Sequence, residues 1–89
     1  MNWQIDFSKE AIKFMKNNNI DEDNIISLLI KTIRRLKGEC VNIDIKKMRG
    51  EWKDFYRIRM GKIRILASMD FNNREAYIDR IDFRGNVYK

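Results

Sequence analysis

Phe55-Tyr56-Arg57-Ile58-Arg59-Met60-Gly61-Lys62-Ile63-Arg64-Ile65 is the stretch on which the fold turns. A strand sends alternate side chains to opposite faces, so Arg57 and Arg59 project together while Tyr56, Ile58 and Met60 project the other way. Gly61 supplies a turn. A return strand from Lys62 then sets Arg64 beside the first two arginines, and the hairpin carries a cationic patch on a rigid sheet, where it can hold a phosphate.

Downstream, Ile63, Ile65, Ala67 and Met69 give one face of the return strand. Phe71-Asn72-Asn73-Arg74 reads as the next hairpin loop, because asparagine tolerates positive φ with little strain. The last strand spans Glu75 to Phe83, with Asp79, Arg80 and Asp82 blurring its alternation, and Arg84 to Lys89 ends in a turn or a single helical turn. Upstream, Arg49-Gly50-Glu51-Trp52 reads as a turn, and the mixed valine, isoleucine and charge of Val41 to Lys47 fits either a connector or a short edge strand.

The N-terminal half has a different period. Trp3-Gln4-Ile5-Asp6-Phe7 alternates as a half-buried strand does. Ser8 caps a helix running to about Lys16, with Glu10 near its positive end and Ala11, Ile12 and Met15 buried. Asn17-Asn18-Asn19 breaks it. Asp21 caps a second helix whose first turn holds Glu22 and Asp23. Along it Ile25, Ile26, Leu29, Ile30, Ile33 and Leu36 recur every three or four residues, Lys31, Arg34, Arg35 and Lys37 gather toward its end, and Gly38 stops it. The order β-α-α-β-β-β predicts an α+β fold, with two N-terminal helices on one face of a mainly antiparallel sheet and the other face available for function.

With 89 residues, 44% hydrophobic and 36% charged, the chain reads as one globular domain over residues 1–89 with a modest core. No apolar run is long enough to span a bilayer and the N-terminus lacks the regions of a signal peptide, which points to a cytosolic protein without a membrane partner. The lone Cys40 forms no internal disulfide and reads as a buried or inert thiol. The net charge of +6 is unevenly spread. Residues 1–45 hold seven cations and seven acids, whereas 46–64 hold eight cations against Glu51 and Asp54. Those eight are Lys46, Lys47, Arg49, Lys53, Arg57, Arg59, Lys62 and Arg64. The asymmetry points to a polyanion, nucleic acid first and an acidic protein second, against the alternative of an ordinary solvated surface.

The chain has no histidine, which argues against the usual serine and cysteine triads, the usual zinc sites and the two-histidine ribonuclease arrangement. No phosphate-binding glycine loop and no evident two-metal acid set occur, and no cofactor is implied. RNA nevertheless brings its own nucleophile, the ribose 2′-hydroxyl. Cutting it requires in-line geometry, cations for the phosphorane-like charge, a base for the 2′ proton and a donor for the leaving 5′ oxygen. Arg57, Arg59 and Arg64 meet the second need but not the third, since guanidinium resists deprotonation. A lysine among Lys46, Lys47, Lys53 and Lys62, or a tyrosine, has to supply the base, unless catalysis rests on positioning and electrostatics. Tyr56 and Tyr88 are candidates to stack on bases. The alternative for each is plain: solvated cations, a core Tyr56, and Arg84 and Tyr88 as C-terminal ties.

Three segments together carry a family likeness: residues 48–61, Ile63-Arg64-Ile65, and Arg80-Ile81-Asp82-Phe83-Arg84-Gly85-Asn86-Val87-Tyr88-Lys89. Over nearly its whole length the chain resembles the RelE/ParE superfamily of type II toxin-antitoxin toxins, and is most similar to the RelE branch. The resemblance implies a small, basic, metal-independent endoribonuclease that enters the ribosomal A site, contacts rRNA there and cuts mRNA. It also implies a cognate antitoxin that neutralises the toxin, with DNA reached only through that partner.

Residue by residue, the resemblance implies Arg57, Arg59 and Arg64 at the scissile phosphate, Arg84 at the leaving oxygen and Tyr88 positioning or stacking the nucleobase. Lys46, Lys47, Arg49, Lys53 and Lys62 then extend the RNA-binding surface. Two positions depart from the family pattern: arginines stand at 57 and 59 where some members have titratable lysine, and Phe83 stands where many relatives have histidine. The ParE branch, which poisons DNA gyrase, and a catalytically inactive RNA- or antitoxin-binding relative are the alternatives.

Overall fold

In the computed structural model, which describes residues 3–52 and 54–83, the arginine-rich stretch is a hairpin. In chain order the elements are β1 (Gln4–Phe7), α1 (Lys9–Asn17), α2 (Glu22–Leu36), β2 (Asp44–Lys47), a 3₁₀ turn (Gly50–Trp52), β3 (Phe55–Met60), β4 (Ile63–Asp70) and β5 (Glu75–Phe83). Gly61 has φ +59° at the first central position of the two-residue β3–β4 connection, a conformation open to glycine and suited to the right-handed twist of paired strands.

The five strands form one sheet in the order β1-β5-β4-β3-β2. β1 runs parallel to β5, and the other pairings are antiparallel. β2 settles the open reading of Val41–Lys47: its second half is an edge strand, with Asp44 opposite Arg59 and Lys46 opposite Arg57. The hairpin and its flanks are thus three strands wide before β5 is added.

Both helices are held by their caps. The Ser8 hydroxyl accepts from the Ala11 N–H at 3.0 Å and donates to the Asp79 carbonyl, while the Ser8 N–H donates to the Ile78 carbonyl. One buried side chain therefore starts α1 and ties it to β5. Asp21 caps α2 through the Asp23 N–H. At the far end, the Gly38 N–H reaches the Arg35 carbonyl and the Glu39 N–H the Arg34 carbonyl, with Gly38 at φ +97°. This is a Schellman ending, and it needs a residue without Cβ strain.

Ala11, Met15, Ile25, Leu28, Leu29 and Ile33 of the helices pack with Ile58, Ile65, Ala67, Ala76, Ile78 and Ile81 of the sheet. Three expectations change here. Ile12 is 40% exposed rather than buried, Leu36 is also exposed, and Leu28 and Thr32 take core places instead. Thr32 returns its hydroxyl to the Leu28 carbonyl, so its polar atom is satisfied inside α2. Cys40 is exposed, not buried.

The blurred alternation of β5 has a geometric cause. Ala67 faces Ile78 and Leu66 faces Arg80, so Asp79 is an extra residue that breaks the register. Ile78 and Ile81 consequently both reach the core although they are three apart. In the β4–β5 loop the positive φ falls on Arg74, not on an asparagine. The asparagines serve differently: Asp70 accepts the backbone N–H groups of Asn72 and Asn73 and the Asn73 side-chain amide. The expected turn at Arg84–Lys89 lies outside the described residues.

Candidate nucleic-acid interface

Counting outward from the core fixes what the other face of the sheet presents. Ile58 and Ile65 are buried partners on the helix side, so their neighbours along the strands point away from it. Two rows run across that face. Asp44, Arg59, Arg64 and Asp82 stand side by side on β2, β3, β4 and β5, and Lys46, Arg57, Leu66 and Arg80 form the next row. Arg59 and Arg64 are direct cross-strand partners, and Arg57 is diagonal to Arg64.

The middle of the second row is unusual. Leu66 is fully buried but does not belong to the core shared with the helices. Its neighbours across the strands are Arg57 and Arg80, whose methylene stems are suited to cover an apolar residue while their charged heads turn outward. Arg57 is accordingly only 15% exposed in its side chain and Arg59 26%. The Nε of Arg57 is buried without an acceptor.

Electrostatically the patch is cationic, with Asp44 and Asp82 at the two ends of its first row. Asp44 lies 3.2 Å from Arg57 Nη2 and 3.5 Å from Arg59 Nη1. Beside this trio, Lys46, Lys47, Met48, Arg49 and Arg57 line an open depression of about 490 Å³. Lys46 shares the arginine face, whereas Lys47, opposite Tyr56, points to the helix side at the sheet edge. Arg49 follows β2, and the exposed Lys62 sits in the β3–β4 turn. Lys53, Arg84 and Tyr88 lie outside the described residues.

Tyr56 falls on the helix face with Ile58, which separates it from the arginines. Tyr77, between buried Ala76 and Ile78, is an exposed aromatic on the open face. It stands opposite Ser68, in the row that begins with Phe55. Asp44, Leu66, Arg80 and Tyr77 are the residues that reading the sequence did not single out. Alternation along each strand signals their faces, but only the register between strands shows which arginines they meet. Among the described residues no group of three or more acids or thiols is placed to hold a metal ion, and no helix is long and apolar enough to cross a membrane.

No family model matches the chain, and no curated protein does. Solved structures do. The archaeal RelE–RelB complex from Pyrococcus horikoshii matches over 98% of this chain and 100% of its own, at 21% identity and a TM-score of 0.60. The Escherichia coli DinJ–YafQ toxin-antitoxin complex matches over the full length of both chains, at 11% identity and a TM-score of 0.68. The fold is that of the RelE-type toxins. The RelB–RelE antitoxin-toxin complex from Methanococcus jannaschii adds 25% identity over 92% of this chain and 93% of its own, at a TM-score of 0.59. Within this RelE-like fold, the arginine rows lie on the sheet face that the two helices leave open.

Proposed function

We propose that the protein is the toxin of a type II toxin-antitoxin pair and a ribosome-dependent mRNA endoribonuclease, acting as one RelE-like domain in the cytoplasm. The observation that carries this reading is the convergence of Arg57, Arg59 and Arg64 on adjacent strands at registered positions away from the helices. In the proposed step the 2′ oxygen attacks phosphorus, the bond to the 5′ oxygen breaks, a base takes the 2′ proton and the 5′ oxygen gains one. Arg57, Arg59 and Arg64 hold the phosphate and offset the charge that grows on its oxygens, where preorganised donors act most strongly. The resemblance assigns Arg84 to the leaving oxygen and Tyr88 to positioning or stacking the nucleobase. Lys46, Lys47, Arg49, Lys53 and Lys62 guide the flanking backbone, and no metal is required. The cognate antitoxin covers this face, and DNA is reached only through it.

Induced expression, followed by pulse labelling of new protein, tests the reading. Translation stops within minutes and mRNA shows cuts inside translated codons, while Arg64→Ala lowers cleavage by about two to three orders of magnitude, the effect of losing one preorganised donor. Intact mRNA during growth arrest, or DNA-damage signalling with translation spared, overturns it; the latter is the outcome for a gyrase poison.

A further inference from the structure

Asp44 has no part in the scheme above, yet it meets two of its three arginines. Its two carboxylate oxygens meet different arginines, Oδ1 with Arg57 and Oδ2 with Arg59, so one anion bridges the two cations proposed to hold the phosphate. Carboxylate and phosphate offer a guanidinium similar paired anionic acceptors. We infer that Asp44 is an internal counter-anion, which aligns Arg57 and Arg59 in the free protein and competes with an RNA phosphate for them. This rests on reading the arginine face as an RNA site.

Exposed ion pairs usually contribute little, so the case depends on how the three residues are buried. Arg57 and Arg59 have given up most of their contact with water, while the Asp44 side chain keeps 51% of its exposure. The acid can therefore swing into solvent at small cost, and the two guanidinium groups cannot. They project from the same face of one strand two residues apart, where like charges repel unless an anion lies between them. Asp44 supplies that anion from the edge strand. It leaves the buried Arg57 Nε without an acceptor. An incoming phosphate meets cations already aligned and displaces one mobile carboxylate.

Counter-anion and ordinary scaffold predict opposite signs. If Asp44 only held the arginines in place, removing its charge would splay them and weaken RNA binding. If it competes, removing its charge strengthens binding. The test is fluorescence anisotropy with a labelled short 2′-O-methyl oligoribonucleotide, which cannot be cut because its 2′ oxygens are blocked. Asp44→Asn and Asp44→Ser bind about three- to tenfold tighter than the wild type at low salt. Asp44→Glu keeps near-wild-type affinity, and the gap narrows as salt rises. Equal or weaker binding by both uncharged variants overturns the inference, as does loss of fold in both by circular dichroism. Arrest of translation by the wild type is a separate readout: arrest with no gain in affinity removes only the role of Asp44, whereas no oligonucleotide binding and no arrest removes the RNA reading as well.

Discussion

Asp70 illustrates how one side chain can organise a connection whose sequence looks merely polar. The Asn73 side-chain amide, then its N–H, hold the carboxyl below the usual value for aspartate against an opposing effect of burial, and the Asn72 N–H adds to them. A depressed value favours the folded state above the unfolded pKa, near 3.9, and that contribution is lost as pH falls through the lower folded value. Asn73→Ala removes the largest cause, so Asp70 titrates closer to an ordinary aspartate; carbon-detected NMR titration of its carboxyl reads this, and an unchanged midpoint would refute it. The loop shows what strand alternation leaves out. Positive φ was assignable to the asparagines on propensity, yet Arg74 adopts it, because Asn72 and Asn73 are already held by Asp70. Arg57, Arg59 and Arg64 were readable for the opposite reason: a two-residue turn makes their juxtaposition local. Asp44 was not, since it meets Arg57 across thirteen positions of chain and only strand pairing brings them together.

Elements were legible wherever caps and period agreed. Ser8 and Asp21 start the two helices and Gly38 closes the second, as their chemistry predicts. The edge strand β2 remained open to two readings because an exposed edge imposes no strong pattern on its residues, and three of its four are exposed. Ile12 fits the helical period but lies on a flank of α1 that the sheet does not reach, so periodicity alone misplaced it. Ser8 joins two elements and gives a direct test of the joint. Ser8→Ala deletes the cap and leaves the Asp79 carbonyl without its donor beside the bulge, for a cost of about 2 kcal/mol. Urea denaturation measures it as a lower midpoint at unchanged slope. Ser8→Thr keeps the hydroxyl and recovers part of the loss; a Ser8→Ala midpoint equal to that of the wild type would mean the joint contributes nothing.

Across the molecule, charge and core divide between the two faces of one sheet. The helices seal one face, and the other concentrates cations whose mutual repulsion Asp44 offsets only in part. A chain of 89 residues has roughly 4 to 13 kcal/mol of stability in all, so this repulsion and the exposed Met60, Phe71, Tyr77 and Phe83 are not small matters. A partner that brings acids to the arginine rows and apolar side chains to those exposed residues acts on both. It binds the folded chain and not the unfolded one, so at a hundredfold excess over its dissociation constant it adds about 2.7 kcal/mol. For a domain of this size that corresponds to about 10 to 20 °C in unfolding temperature. Differential scanning fluorimetry of the chain alone, and with the protein encoded beside it in the genome, makes the comparison. Since part of the gain is electrostatic, it shrinks as salt is raised, while the apolar part persists. Equal midpoints with and without the partner would contradict the prediction, and a gain indifferent to salt would place the contact away from the arginine face.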